Sequence, residues 1–159
     1  MYKILLIFLV VCLMSGCGFH LAGEGEFASE LDYTHINSAS SSKELLRLLD
    51  KRLRANQINI VDVDNATALL QILNEETEKV VLTVDNDGKA REFELLLRIT
   101  FAVKRADNSI LLDQQTIDLN RDFVFDKSNL PGTNEEEQEL YNEMRNDATK
   151  LIVYRLQTI

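Results

Sequence analysis

The residue with the clearest chemistry in this sequence is Cys17. It follows Lys3, an apolar run over residues 4–14 and the two small residues Ser15 and Gly16. That order is typical of a bacterial lipoprotein signal, in which a positive residue and a short apolar segment precede the cleavage site. We therefore predict that a diacylglyceryl group is attached to the Cys17 thiol, that the preceding peptide bond is cut, and that the new amino group is acylated.

The apolar run is too short to cross a membrane as a helix. A hydrocarbon layer of about 30 Å needs about 20 apolar residues, so residues 1–16 are predicted to be a removable signal peptide. Several acyl chains, each contributing about 0.8 kcal/mol per buried CH₂, would then hold the mature chain to a membrane. Gly18, rather than an aspartate, resembles the pattern that lets bacterial lipoproteins move to the outer membrane. An ordinary secretory signal with an incidental cysteine is the alternative interpretation.

Composition limits the class of protein. The chain has 26 acidic and 17 basic residues and a formal net charge of −9. This argues against nonspecific binding to nucleic acid, which depends on dense Lys and Arg. Cys12 leaves with the signal and Cys17 carries lipid, so the folded part has no thiol for a disulfide. We expect a flexible tether over residues 17–28 and a single domain over residues 29–159.

The first part of the domain changes from a strand pattern to a helix pattern and back. Residues 31–36 and 58–63 alternate apolar with polar side chains, as short strands do. Between them, residues 42–55 carry leucines at helical spacing. Ser41 and Glu44 form a candidate capping box at the start of this helix. We expect the helix to lie with its apolar stripe against a sheet.

Three long strand-like runs follow, over residues 69–84, 91–104 and 110–125. Between the first two, the sequence Asp-Asn-Asp-Gly at residues 85–88 predicts a hairpin turn, because glycine accepts positive φ. In the second run one side of the strand is apolar, and it consists of Phe93, Leu95, Leu97, Ile99, Phe101 and Val103.

A final helix is predicted after the only proline of the chain. Asn134 is a candidate cap, and the glutamates that follow it suit the positive end of the helix dipole. The predicted inner stripe consists of Leu140, Tyr141, Met144, Ala148, Leu151, Ile152 and Arg155. Together these patterns predict an α+β fold, a mostly antiparallel four-stranded sheet with two helices packed on one face. The other face would then be open to solvent or to a partner.

Signals for an enzyme are weak, and we expect no catalytic residues, cofactor or metal. Neither His20 nor His35 sits in a metal-ligand spacing, and no G-x-S-x-G nucleophile motif is present. Glu75, Glu76 and Glu78 could be imagined as metal ligands or as an acid–base pair. Such acidic runs are more often solvated edges, and that is the interpretation we favour.

Basic side chains beside the predicted turn are the remaining candidates. Lys89 and Arg91 lie next to the turn, and if they cluster they could hold phosphate or carboxylate groups, since arginine matches such oxyanions with two hydrogen bonds. The other basic residues of the long runs are Arg98, Lys104, Arg105 and Arg121. The alternative is cross-strand pairing. The acidic partners considered for it are Glu92, Glu94 and Asp122.

A family resemblance adds to this interpretation. The string from Cys17 to Gly23, Cys-Gly-Phe-His-Leu-Ala-Gly, resembles the start of the mature LPS-assembly lipoproteins (LptE, also called RlpB), and the order of elements resembles theirs along essentially the whole chain. The resemblance implies a lipoprotein anchored in the outer membrane, which sits as a plug inside the large LptD β-barrel, assists its assembly and helps lipopolysaccharide reach the cell surface.

Departures from the family pattern concern the contacts with lipopolysaccharide. Ala22 stands where a basic residue is common, and two family basic positions fall at Asn86 and Gly132. The candidate lipopolysaccharide contacts in this chain are therefore the nearby Lys89, Arg91 and Lys127. The alternative function is a periplasm-facing outer-membrane lipoprotein that binds a soluble ligand or inhibits an enzyme without entering a barrel.

Overall fold

The computed structural model describes residues 27–38, 40–125 and 130–159. Cys17, Lys127, the predicted signal and most of the predicted tether lie outside these residues. The strands are β1 (Tyr33–Ser38), β2 (Asn59–Ile60), β3 (Ala68–Val84), β4 (Ala90–Arg105) and β5 (Ile110–Val124). The helices are α1 (Lys43–Ala55) and α2 (Leu130–Leu156). Short 3-10 turns at Ser29–Leu31 and Val63–Asn65 precede β1 and β3.

The described strands form one sheet in the order β2-β1-β3-β4-β5. Strands β3, β4 and β5 are an antiparallel meander, whereas β1 runs parallel to both β2 and β3. The predicted α+β class and the mostly antiparallel sheet are confirmed. The predicted count of four strands is one too low. Both short segments join the sheet, because α1 carries the chain back so that Asn59 and Ile60 pair beside Tyr33 and Thr34.

Both helices cover the same face of the sheet, as predicted. The helix-facing side chains of β4 are Leu95, Leu97, Ile99, Phe101 and Val103, all at most 1% exposed. They pack with Leu45, Leu49 and Leu53 of α1 and with Met144, Ala148 and Ile152 of α2. Strict alternation along β4 places every second residue on one side of the sheet. The opposite side therefore carries the polar residues and has no helix over it.

The start of α1 differs from the prediction by one residue. Ser42 is the N-cap, and its hydroxyl accepts a hydrogen bond of 3.2 Å from the backbone N–H of Leu45. The capping box predicted between Ser41 and Glu44 is absent, because the Glu44 carboxylate pairs with Arg47 at 2.5 Å instead. The Ser41 hydroxyl is buried and has no hydrogen-bond partner among the described residues.

Helix α2 begins earlier than predicted, at Leu130, so Asn134 lies within it and is not its cap. Pro131 stands in the first turn, where its missing N–H costs no helical hydrogen bond. The predicted inner stripe is right for Tyr141, Met144, Ala148 and Ile152, which are buried. It is wrong for Leu151 and Arg155, which are exposed. In their place, the C-terminal half buries Thr149, Val153 and Leu156.

The buried side of α2 rotates along the helix because its C-terminal half packs against α1 as well as the sheet. Arg52 of α1 donates hydrogen bonds to the hydroxyl of Thr149 at 3.0 Å and to the side chain of Asn146 at 2.9 Å. The predicted stripe assumed that α2 packs against the sheet alone, so it did not include the contact with α1. That is why the prediction fails only in the last turns.

The cap gives a direct test of the helix start. We expect Ser42→Ala to lower the free energy of unfolding by at least about 1 kcal/mol, the usual cost of losing an N-cap, because the same hydroxyl also donates to Glu75 of β3. Ser41→Ala is the matched control and should change it by less than about 0.5 kcal/mol. Urea unfolding followed by circular dichroism measures both, and equal losses would restore Ser41 as the cap.

Candidate interaction surface

The turn between β3 and β4 has the geometry that its sequence predicts. Gly88 has φ of +76°, and its N–H donates to the Asp85 carbonyl at 2.9 Å. The Asp85 carboxylate accepts from the backbone N–H groups of Asp87 at 3.0 Å and Lys89 at 2.9 Å. A side chain that accepts hydrogen bonds from the backbone N–H groups of its own turn stabilises that turn. It therefore fixes the direction in which the strands leave the turn.

The end of the sheet around this turn is the most exposed apolar part of the described chain. We call residues 80–92 the distal hairpin. On β3, Val80, Val81, Leu82 and Val84 are 37 to 57% exposed, and Val124 at the end of β5 is 55% exposed. Monomeric proteins rarely expose apolar side chains in contiguous groups, and such groups mark contact sites for proteins or membranes. The distal hairpin is therefore a candidate interaction surface.

Two of the predicted basic contacts lie in the distal hairpin. Lys89 and Arg91 are exposed, and neither side chain makes a hydrogen bond or ion pair with another described residue. The carbonyl of Arg91 accepts a 2.8 Å hydrogen bond from the Phe125 N–H, so the backbone at Arg91 is fixed while its guanidinium is free. The structure brings Lys89 and Arg91 to the same end of the sheet. Lys127 lies outside the described residues.

Three of the other basic residues have structural partners. Arg98 pairs with Asp118 across β4 and β5 at 2.6 Å. Arg105 pairs with Glu30 at 3.2 Å and Arg121 with Asp147 of α2 at 2.8 Å. Cross-strand pairing is therefore correct for Arg98, although its partner is none of the three carboxylates considered. Lys104 has no ion-pair partner among the described residues, but it lies at the other end of β4 from Lys89 and Arg91.

The open face of the sheet is acidic towards the distal hairpin. Arg98 and Asp118 neutralise each other there. Glu92 and Glu94 accept hydrogen bonds only from neutral side chains, those of Thr83 and Asn120. Asp122, which lies opposite Glu94 in the register, makes no ion pair with another described residue. The result is a surface of negative charge beside two exposed cations.

A β-bulge between Ile72 and Asn74 turns Glu75 toward the helices. The Glu75 carboxylate is 4% exposed and accepts from Arg145 of α2 at 2.7 Å. It also accepts from the N–H and hydroxyl of Ser42, at 2.6 and 3.1 Å. The interpretation of Glu75 as part of a solvated edge is thus wrong, because the bulge places it under both helices.

The same bulge places Lys79 on the helix side of β3, a residue that sequence reasoning missed. Its Nζ lies 2.5 Å from the Glu137 carboxylate of α2. It also lies 4.3 Å from the ring centroid of Phe93 and 4.8 Å from that of Phe123, within the range of a cation–π interaction. The lysine thereby joins the N-terminal half of α2 to the distal part of the sheet.

Metal-ligating side chains do not cluster among the described residues. They contain no group of three or more His, Cys, Asp or Glu side chains that could hold a metal ion. His35 faces the carbonyl of Val61 at 3.0 Å. A cleft of about 460 Å³ is lined by Glu30, Thr67, Arg105 and Asp107, and another of about 150 Å³ lies over Arg98 and Asp118. No helix in the described ranges is long and apolar enough to cross a membrane.

The architecture is that of a class of small bacterial lipoproteins of known structure. The crystal structure of rare lipoprotein B from Shewanella oneidensis superposes with a TM-score of 0.69 at 28% identity, covering 79% of this chain and 94% of that one. The solution structure of lipoprotein B from Nitrosomonas europaea gives a TM-score of 0.69 at 26% identity, with 88% of each chain covered.

Sequence comparison identifies the family within this class. The model described as LptE, lipopolysaccharide-assembly, matches residues 31–156, and the chain belongs to this family. An LPS-assembly lipoprotein LptE from Photorhabdus laumondii is 32% identical over 157 residues, which are 98% of this chain and 85% of the relative. One from Pectobacterium atrosepticum is 27% identical over 154 residues, 95% of this chain and 82% of the relative. The resemblance inferred from the sequence is confirmed.

The buried ion pair provides a test of how the helices are held. We expect Glu75→Gln to lower the free energy of unfolding by about 3 kcal/mol, because it leaves the Arg145 charge buried without its counter-ion. Glu76→Gln is the matched control and should have an effect below about 0.5 kcal/mol, since its side chain is exposed and can still accept from Asn74. Urea denaturation measures both variants, and a small effect of Glu75→Gln would contradict the role assigned to the pair.

Proposed function

We propose that this chain is a noncatalytic outer-membrane lipoprotein of the lipopolysaccharide transport machinery. It forms a plug in the LptD β-barrel and assists the assembly of that barrel, so that lipopolysaccharide is delivered to the cell surface. The family match over residues 31–156 carries the proposal, because it spans almost the whole described domain. The relatives in that family are described as LPS-assembly lipoproteins.

The lipid anchor belongs to the proposal. Residues 1–16 are removed as a signal peptide, Cys17 carries the acyl chains, and residues 17–28 tether the single domain of residues 29–159 to the membrane. The lipoprotein signal pattern that ends at Cys17 supports this anchor. The names of the structural neighbours, which are lipoproteins, support it as well.

The surface of the domain supports a plug more than a soluble-ligand carrier. A carrier encloses most of its ligand in an apolar cavity, whereas each cleft described above carries charged side chains, Glu30, Arg105 and Asp107 in one and Arg98 and Asp118 in the other. A plug instead contacts the surrounding barrel through exposed side chains on several sides of the domain. Exposed apolar residues occur on the distal hairpin and, well away from it, at Tyr33, Val63 and Tyr154.

The plug role is tested by recovering the chain from outer membranes. A C-terminally tagged copy is extracted in detergent and captured, and the bound proteins are identified by mass spectrometry. We expect stoichiometric recovery of one large β-barrel protein, LptD. A tagged outer-membrane lipoprotein of another family, captured in parallel, should not recover it. Capture of the tagged chain alone would contradict the plug role.

Contact with lipopolysaccharide is proposed for Lys89, Arg91 and Lys127. We expect the double variant Lys89→Glu and Arg91→Glu to weaken lipopolysaccharide binding roughly tenfold, by replacing two exposed attractions with repulsions. Raising the salt concentration should reduce the difference from the unsubstituted chain. Binding is measured with immobilised full-length chain and purified lipopolysaccharide.

The matched control for this variant is Lys43→Glu with Lys51→Glu. These two lysines are exposed on α1 and make no hydrogen bond or ion pair with other described residues, so the change in net charge is the same. Equal weakening by both double variants would show that only the net charge matters, and would contradict a specific contact at the distal hairpin.

A further inference from the structure

Strand β5 is an unusually long free edge of the sheet. Within the described residues it pairs only with β4, and it runs from Ile110 to Val124. Its register with β4 is uninterrupted from Glu92↔Val124 to Phe101↔Gln115. On the opposite side, β2 has only two residues, β1 covers β3 only from Ala68 to Ile72, and the rest of that β3 edge is interrupted by bulges. A long regular edge presents a row of unpaired backbone groups, which another strand can use.

The residues whose backbone groups face outward can be assigned from one hydrogen bond. The N–H of Phe125 donates to the carbonyl of Arg91 at 2.8 Å, in the same register as the strand pairs. Because hydrogen-bonded and non-bonded pairs alternate in an antiparallel ladder, the even-numbered residues of this part of β5 point their backbone groups away from β4. These residues are Thr116, Asp118, Asn120, Asp122 and Val124.

A contact of Arg121 supports the assignment. Its guanidinium donates at 2.8 Å to the carbonyl of Asn120, which is one of the outward-facing groups. That carbonyl has a second lone pair, so it can still accept from another strand. Apart from the contact with Arg121, no hydrogen bond beyond the β4–β5 ladder joins the backbone groups of the five outward residues to other described residues.

The side chains along this edge determine which strand would fit. The even-numbered side chains lie on the open face, as the pair between Arg98 and Asp118 and the 2.6 Å bond from Asn120 to Glu94 show. Around Asp122, no ion pair joins the carboxylates to a cation among the described residues. A strand added here would place every second side chain on that face, next to Asp122, with Glu94 one strand further in. Positive side chains at those positions match the surface.

We propose that β5 is the docking edge for an extended segment of a partner protein that carries Lys or Arg at alternate positions. The backbone of the segment pairs with the outward groups of β5, and its long basic side chains lie beside Asp122 and reach toward Glu94 on β4. This mode of recognition takes affinity from main-chain hydrogen bonds and specificity from alternate side chains. A second copy of this chain fits less well, because pairing two β5 edges would bring their carboxylates together. The proposal goes beyond the barrel-plug role and does not depend on it.

The test uses the full-length chain in neutral detergent and a short, end-capped peptide of alternating lysine and threonine. Amide hydrogen exchange is followed by NMR with and without saturating peptide. In the free chain the odd-numbered amides of β5 should exchange slowly and the even-numbered amides from 116 to 124 quickly. The peptide should slow the even-numbered amides at least tenfold. Unchanged exchange of those amides at saturating peptide would overturn the proposal.

Variants separate the backbone contribution from the charge contribution. A peptide methylated at alternate backbone nitrogens keeps its charge and loses its donors, so it should not protect the even-numbered amides. Asp122→Lys should weaken binding of the original peptide about fivefold, as expected for reversing an exposed pair, whereas Glu143→Lys on α2 should not. Equal binding of the methylated peptide, or equal effects of the two substitutions, would overturn the proposal. Protection that rises with chain concentration in the absence of peptide would overturn it in favour of self-association.

Discussion

The buried ion pair between Glu75 and Arg145 is the contact on which the position of both helices depends. The same carboxylate accepts two hydrogen bonds from Ser42, so one residue of β3 fixes the start of α1 and the middle of α2. Removing these charges from water costs several kcal/mol for each ion. The attraction between the two ions offsets this cost only when both are in place. The helices and β3 therefore form their shared contact together, and the geometry of the helix layer follows from the bulge that turns Glu75 inward.

This arrangement divides the domain into a face that stabilises the fold and surfaces that are available to partners. The leucines of α1, the apolar side of β4 and the inner residues of α2 make one core on the helix side. Lys79 extends that attachment toward the distal hairpin through Glu137 and the rings of Phe93 and Phe123. The open face, including the even-numbered side chains of β5, lies outside that core, so its side chains can change with less effect on stability than those under the helices, such as Ile117 and Phe123.

Regular repetition made much of this fold predictable. The buried side of β4 and the turn at Gly88 follow from alternation and from glycine's freedom at positive φ. The predictions fail where a distant element or a single extra residue determines the local structure. Ser41 and Ser42 are both possible caps of α1. The hydrogen bond from Ser42 to Glu75, which is 33 positions away in the sequence, favours Ser42. A single-residue bulge reverses the side on which Glu75 and Lys79 point, and packing against α1 rotates the buried side of α2. Among the candidate contacts, the location of Lys89 and Arg91 was predictable because they flank a recognisable turn.

The length of β3 sets how far apart the two ends of the domain are. The described chain begins beside the base of the sheet, where Thr67 donates to the carbonyl of Glu30 at 2.7 Å, and the turn at Gly88 lies at the other end of β3. Seventeen residues at about 3.3 Å each span roughly 55 Å. A rigid antiparallel sheet of this length keeps Lys89 and Arg91 at a fixed, large distance from the point where the described chain begins.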